Sequence, residues 1–182
     1  MKEIIGLFTQ IALLRRGPQD LPASMLLLLL TIAGYLCVNL LMSLLLLTLL
    51  HTTAAADGQV RWMAPLLIGT LFTLLWYVVL MRIVKRPERT LQTTTAVFGF
   101  QAVLAPLTNA FEWAMRRFGE DATWQLPVTC AGLLMVAWLI AANSHILKAA
   151  LEWSNTASVA LVILQMLAGG LLLLVVFAPG NS

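Results

Sequence analysis

Seven side chains able to do chemistry sit in otherwise apolar surroundings: Asn39, Gln101, Asn109, Glu112, Asn143, His145 and Gln165. Polar groups kept at membrane depth are costly, so each is a candidate for a solute path, a proton relay or a bond to a neighbouring helix. The stretch TTTAVFGFQAVLAPLTNAFEW carries Gln101, Asn109 and Glu112 together with four threonines, three of them consecutive, Gly99 and Pro106. A helix of this composition cannot face lipid all round. Pro106 removes one N–H and crowds the Ala102 carbonyl, so a kink there is expected to leave backbone polarity for a neighbour or water to satisfy. If the protein has a cavity, this helix lines it.

Asn39 and Gln165 fall near the middles of two further apolar stretches. There an amide ordinarily bonds across to another helix, for about 0.6 to 2 kcal/mol. The candidate intramembrane polar site is therefore Gln101, Pro106, Asn109, Glu112, Asn39 and Gln165. Glu112 has Arg116 four residues on, and this helical pairing accounts for it more simply than a proton relay. His145 has no His, Cys or acid at i+4, so it reads as an interfacial histidine and not as a metal ligand. Cys37 and Cys130 each stand alone in an apolar run and read as small core residues. The sequence holds no GxSxG, HExxH, CxxC or P-loop pattern, and no soluble stretch long enough to fold as a catalytic domain. It reads as a non-enzyme, with no catalytic residue, no metal and no cofactor.

The elements that position these residues follow from composition. Of 182 residues, 60% are hydrophobic and 10% charged, against about 45 to 50% and 25% for soluble domains. A water-soluble fold is excluded. Five windows of at least 20 residues are free of charge, beginning at 21, 62, 90, 122 and 153. About 20 helical residues cross a hydrocarbon layer of about 30 Å, and the leucine runs do not alternate as membrane strands must. The expected fold is all-α, a single polytopic bundle of five transmembrane helices at about 24–50, 62–82, 92–113, 126–147 and 157–178.

An amphipathic helix precedes them. On residues 2–16, KEIIGLFTQIALLRR, Ile4, Ile5, Leu7, Phe8, Ile11, Ala12 and Leu14 share one side of a helix, and the uncharged stretch is too short to span. The expectation is an interfacial helix lying against lipid, ended by Gly17 and Pro18, with Asp20 capping the next helix and Pro22 in its first turn.

Lys and Arg divide eight to three between alternate connections, which places the N-terminus in the cytoplasm and the C-terminus outside. Arg15, Arg16, Arg82, Lys85, Arg86 and Arg89 are the expected contacts with anionic lipid headgroups. The formal net charge of +3 is too small and too scattered for nucleic-acid binding, so the expected partners are membrane lipid and other membrane proteins or a second copy.

The lead-in RRGPQDLPAS, with Arg16, Gly17 and Pro18 and then Leu21 and Pro22 before five closely spaced helices, resembles the bacterial Yip1-like membrane proteins. That resemblance implies a five-helix fold and supplies no site residue. The trafficking role of eukaryotic members is not implied, because the lead-in of about 23 residues offers no long soluble segment to a partner. The function expected first is a scaffold or accessory subunit in a bacterial inner membrane that packs against other membrane proteins, with small residues such as Ala137 and Ala141 permitting close approach. The alternative is a small transporter or channel with a polar path beside the 92–113 helix.

Overall fold

A computed structural model describes residues 2–49, 57–119 and 121–177, with side chains from Gly6 in the first helix and from Met63 in the third. The described residues form six α-helices and no strand: α1 (Lys2–Ala12), α2 (Met25–Leu49), α3 (Asp57–Ile83), α4 (Thr90–Phe118), α5 (Gln125–Leu151) and α6 (Asn155–Phe177). Short 3-10 turns at Pro18–Asp20 and Pro87–Arg89 lead into α2 and α4. Four helices contain segments long and apolar enough to cross a membrane, at Met25–Leu46, Met63–Ile83, Gln125–Leu151 and Asn155–Phe177. Their outward leucines, among them Leu26, Leu30, Leu133, Leu134 and Leu174, are exposed. Such a surface suits lipid and not water.

α4 is built differently. Thr93–Phe100 are eight consecutive buried residues, which no helix lying on a surface can have. α1, α2, α3 and α5 all pack against it. Its 29 residues extend about 43 Å at 1.5 Å per residue. It runs antiparallel to α5 along their whole length. At one end Arg89 donates to the carbonyl of Ala150 (2.9 Å), and at the other the Phe118 and Trp124 rings lie 5.9 Å apart. The ends are named here the arginine end, with Arg82–Arg89 and Lys148, and the far end, with Arg116 and Trp124.

The lead-in helix turns its apolar face to protein. Phe8, Ile11 and Ala12 are buried in one cluster with Val97 and Phe100 of α4 and Ile146 of α5. The Phe8 ring occupies the space beside Gly99 that any larger side chain would fill. Lipid was the expected cover for this face, and at these three residues the bundle supplies it instead. An amphipathic pattern specifies an apolar neighbour without saying which one. The side chains of Ile4 and Ile5 lie outside the described residues.

The connection that follows is pinned from both neighbours. Trp138 Nε1 donates to the Ala12 carbonyl (3.0 Å), Gln92 Nε2 to the Leu21 carbonyl (2.8 Å), and His145 Nε2 lies 3.2 Å from the Arg16 carbonyl. Asp20 does not cap α2. Its carboxylate accepts from the Gly17 N–H (3.3 Å) and closes the Pro18–Asp20 turn, while Ser24 Oγ accepts from the Leu27 N–H (3.4 Å) at the start of α2. Pro22 accordingly stands before the helix and not in its first turn.

Packing is uneven along the bundle. On α3 the buried residues are Tyr77, Leu80 and Met81; on α6 they are Ser158 and Val162; on α5 they run from Ala142 to Leu151, with Val128 apart. All but Val128 lie in the half nearer the arginine end. Cys37 and Cys130 are free thiols on exposed faces and not core residues as expected, because helices that are apolar all round carry no mark of which side turns inward.

Candidate functional site

Beyond the packed half, the bundle forms a partly open cavity of about 380 Å³ to which α2, α3, α4, α5 and α6 all contribute. Its size is at the small end of pockets that hold small molecules, about 300 to 1,000 Å³. Gln101 comes from α4, Gln165 from α6, Asn39 from α2 and Asn143 from α5; Thr73 and Thr108 add hydroxyls. Four helices therefore each present one carboxamide to the same space. Among the described residues, none of those lining it is Asp, Glu, Lys, Arg or His.

The carboxamides are partly tethered. Asn109 Nδ2 donates to the Ala105 carbonyl (2.8 Å) and to Asn39 Oδ1 (3.3 Å), and Asn39 Nδ2 donates to the Tyr35 carbonyl (2.8 Å). This chain ties α4 to α2 and fixes Asn39 against the cavity. Asn143 Nδ2 donates to the Leu139 carbonyl (2.9 Å), leaving its side-chain oxygen as a spare acceptor. Gln101 and Thr73 have no hydrogen-bond partner among the described residues. Tyr77, one turn beyond Thr73 and wholly buried, has its hydroxyl beside Gln165 at a geometry short of a hydrogen bond. A buried polar group left unpaired costs about 1 to 3 kcal/mol. Gln101, Thr73, Asn143 and Gln165 are only half-buried, so their spare donors and acceptors are open to an occupant that hydrogen-bonds, whether water or a solute.

Of the six residues expected from sequence, Gln101, Asn39 and Gln165 line the cavity, and Asn109 stands one hydrogen bond behind Asn39. Pro106 and Glu112 do not take part. Pro106 is exposed on the outer face of an unbroken helix, where the Thr108 hydroxyl and the Asn109 amide both return to the Ala105 carbonyl. Glu112 is exposed and paired with Arg116, the i,i+4 pair expected from its spacing. Asn143, one of the seven polar candidates but not of the six-residue site, also lines the cavity, as does Thr73, which the sequence did not single out. Gly169 permits close approach of Phe72, whose ring lies 3.1 Å from where a Cβ would stand.

At the arginine end the expected headgroup contacts divide. Arg86 and Arg89 are committed to protein: both reach Glu152, at 2.9 and 2.7 Å, and Arg89 also donates to the last carbonyls of α5. Cations are favoured at a helix C-terminus, where carbonyls lack intrahelical donors. Hydrogen bonds from Arg86 and then Arg89, reinforced by their charges, hold the Glu152 carboxyl down at about 2. Glu152 also ends α5 in the left-handed region, with φ of 58°. Arg15, Arg16, Arg82 and Lys85 remain exposed.

No protein-family model matches the chain, and no curated protein or solved structure was found to match it.

Proposed function

We propose that the chain crosses the membrane five times and serves to hold a small polar solute within the bilayer, as the binding site of a small transporter or channel. One observation carries this reading: carboxamides from four separate helices meet at one cavity beside the packed core. Support for the fifth crossing comes from α4 running the full length of α5 while sheathed by other helices, so its threonines and amides need not meet lipid. The eight-to-three division of Lys and Arg supports a cytoplasmic arginine end and N-terminus, and a bacterial inner membrane suits that topology. Arg15, Arg16, Arg82 and Lys85 then contact anionic headgroups. The chain is read as a non-enzyme. The likeness to Yip1-like proteins rests on the lead-in residues alone, and no role is taken from it.

Cysteine scanning from Val97 to Ala110 tests the reading. Water-soluble thiol reagents are expected to label Gln101, Ala105 and Thr108 substitutions and to spare those at Phe98 and Phe100. Labelling confined to the helix ends would make α4 a packed strut and remove the solute site. Reporter fusions at Gly58, Pro87, Arg117 and the C-terminus test the topology, and an inactive periplasmic reporter at the C-terminus would refute it.

A scaffold role keeps one specific observation. Ala137 and Ala141 lie one turn apart on an exposed face of α5, where another helix can approach closely. Recovery of a lone monomer from several mild detergents would count against it.

A further inference from the structure

We infer that the cavity selects an uncharged, hydrogen-bonding solute of amide or polyol type, admitted from the far end and stopped at the arginine end by Tyr77, Phe100 and Val162. The inference deepens the proposed function and rests on its cavity.

The charge selectivity follows from what faces the space. Its polar lining consists of carboxamides and hydroxyls, with no side chain of either formal charge among the described residues. No described helix ends there either. α4 passes unbroken from Thr90 to Phe118 and α6 from Asn155 to Phe177, so no helix terminus offers its dipole to an ion, as the broken helices of ion-coupled transporters do. The fixed charges sit outside, in the Glu112–Arg116 pair at the far end and in the Arg86–Arg89–Glu152 cluster at the other. An ion would lose its hydration and meet no countercharge, whereas a neutral solute needs only donors and acceptors. Carboxamides supply both in one group, and Gln101 and Gln165 stand on different helices as a pair able to hold opposite sides of an amide or diol.

The direction of access follows from packing. Tyr77 and Phe100 are wholly buried and Val162 is 1% exposed, and the cluster continues unbroken through Met81, Ile146 and Leu147 toward the arginine end. Leu173 and Thr108, by contrast, extend the lining about 18 residues from the arginine-end termini of their helices, close to 27 Å. The tight packing closes the arginine end, which leaves the far end as the inferred side of access.

The test uses the full chain in nanodiscs, with Cys37→Ala and Cys130→Ala as background and single cysteines at Thr108, Gly169 and Thr94, and at Thr123 in the far-end connection as control. Three methanethiosulfonates of similar size are compared: neutral hydroxyethyl, anionic sulfonatoethyl and cationic trimethylammonioethyl. At Thr108→Cys and Gly169→Cys the neutral reagent should outpace both charged ones by at least tenfold relative to the control, and Thr94→Cys, beyond the closed end, should not react. Acetamide should slow neutral labelling at Thr108→Cys at least twofold while its near-isostere acetate does not, and Gln101→Leu with Gln165→Leu should abolish that protection. Equal rates for neutral and charged reagents, or equal protection by acetate, would overturn the selectivity while leaving the cavity standing. Ready labelling of Thr94→Cys would overturn the one-ended access. Failure of every reagent at Thr108→Cys and Gly169→Cys would remove the cavity and the proposed function with it.

Discussion

Replacing Gly99 by alanine should loosen α1 from the bundle by an amount that packing alone sets. The Phe8 ring fills the space where a Cβ at position 99 would stand, so the added methyl forces a shift of α1. Overpacking of this kind costs about 1 to 3 kcal/mol. Alanine is also the better helix former, by about 1 kcal/mol, but α4 stays helical whether α1 is docked or free, so that gain cancels from the docking equilibrium. Burial of Phe8 and Ile11 does not protect α1 to the full extent expected in water, because lipid offers a released helix an equally apolar surface. Docking is held by van der Waals contact and by the bonds from Trp138, His145 and Gln92. At 1.4 kcal/mol per tenfold, the opening equilibrium of α1 should rise about 5- to 150-fold. Hydrogen exchange of amides 6–16 in nanodiscs reads this directly where exchange follows the opening equilibrium. The same substitution in a Phe8→Ala background should add almost nothing, since the clash needs the ring. Unchanged exchange in Gly99→Ala, or equal loosening in both backgrounds, would refute the contact.

Glu152→Gln should remove a pH dependence. With its folded value lowered to about 2 from an ordinary 4.5, the carboxylate stabilises the fold fully above about pH 4.5 and loses that contribution as pH falls through 2. Thermal melts should show a wild-type advantage that is constant above pH 5, shrinks on acidification and is absent from the variant; a gap that widens in acid would reverse the assignment. Alanine at Asn109 and at Asn39 should couple by about 0.6 kcal/mol and at most about 1.7 in a double-mutant cycle read by reversible unfolding in detergent, with additivity counting against the bond. Arg116→Ala should leave stability within about 0.5 kcal/mol, because its pair with Glu112 is exposed.

The hydrophobic windows made the four apolar helices and the unusual α4 legible to within a few residues, because the lack of charge over 20 residues is a signal of length. Facing is another matter. α2, α3, α5 and α6 are apolar all round, and in lipid the outward side is as hydrophobic as the inward one, so depth is readable but azimuth is not. Asn39, Gln101 and Gln165 were recoverable because an amide in such a helix must turn toward protein. Glu112 was included on position alone, and its neighbour Arg116 is what takes it outside. Pro106 marked a possible bend, yet α4 runs through it as one helix while the proline faces out. Asn143 was visible as a polar residue in an apolar stretch but stayed out of the six-residue site, because nothing in the sequence shows that its side of α5 faces Asn39 and Gln165. The clamp on Glu152 depends on Arg86 and Arg89 approaching a residue more than 60 positions later, a proximity that loop composition does not encode.

The sheath around α4 bears on how the chain is made. A segment with five threonines, two glutamines, an asparagine and a proline gains little by entering lipid alone, and on the five-crossing reading it must leave the insertion machinery in company. Synthesis delivers that company in a useful order. α1, α2 and α3 are complete before α4 emerges and all three pack against it, while α5 arrives afterwards. α4 thus enters a partly assembled receptacle, and a chain truncated before residue 125 would already contain most of what its least lipid-soluble helix requires.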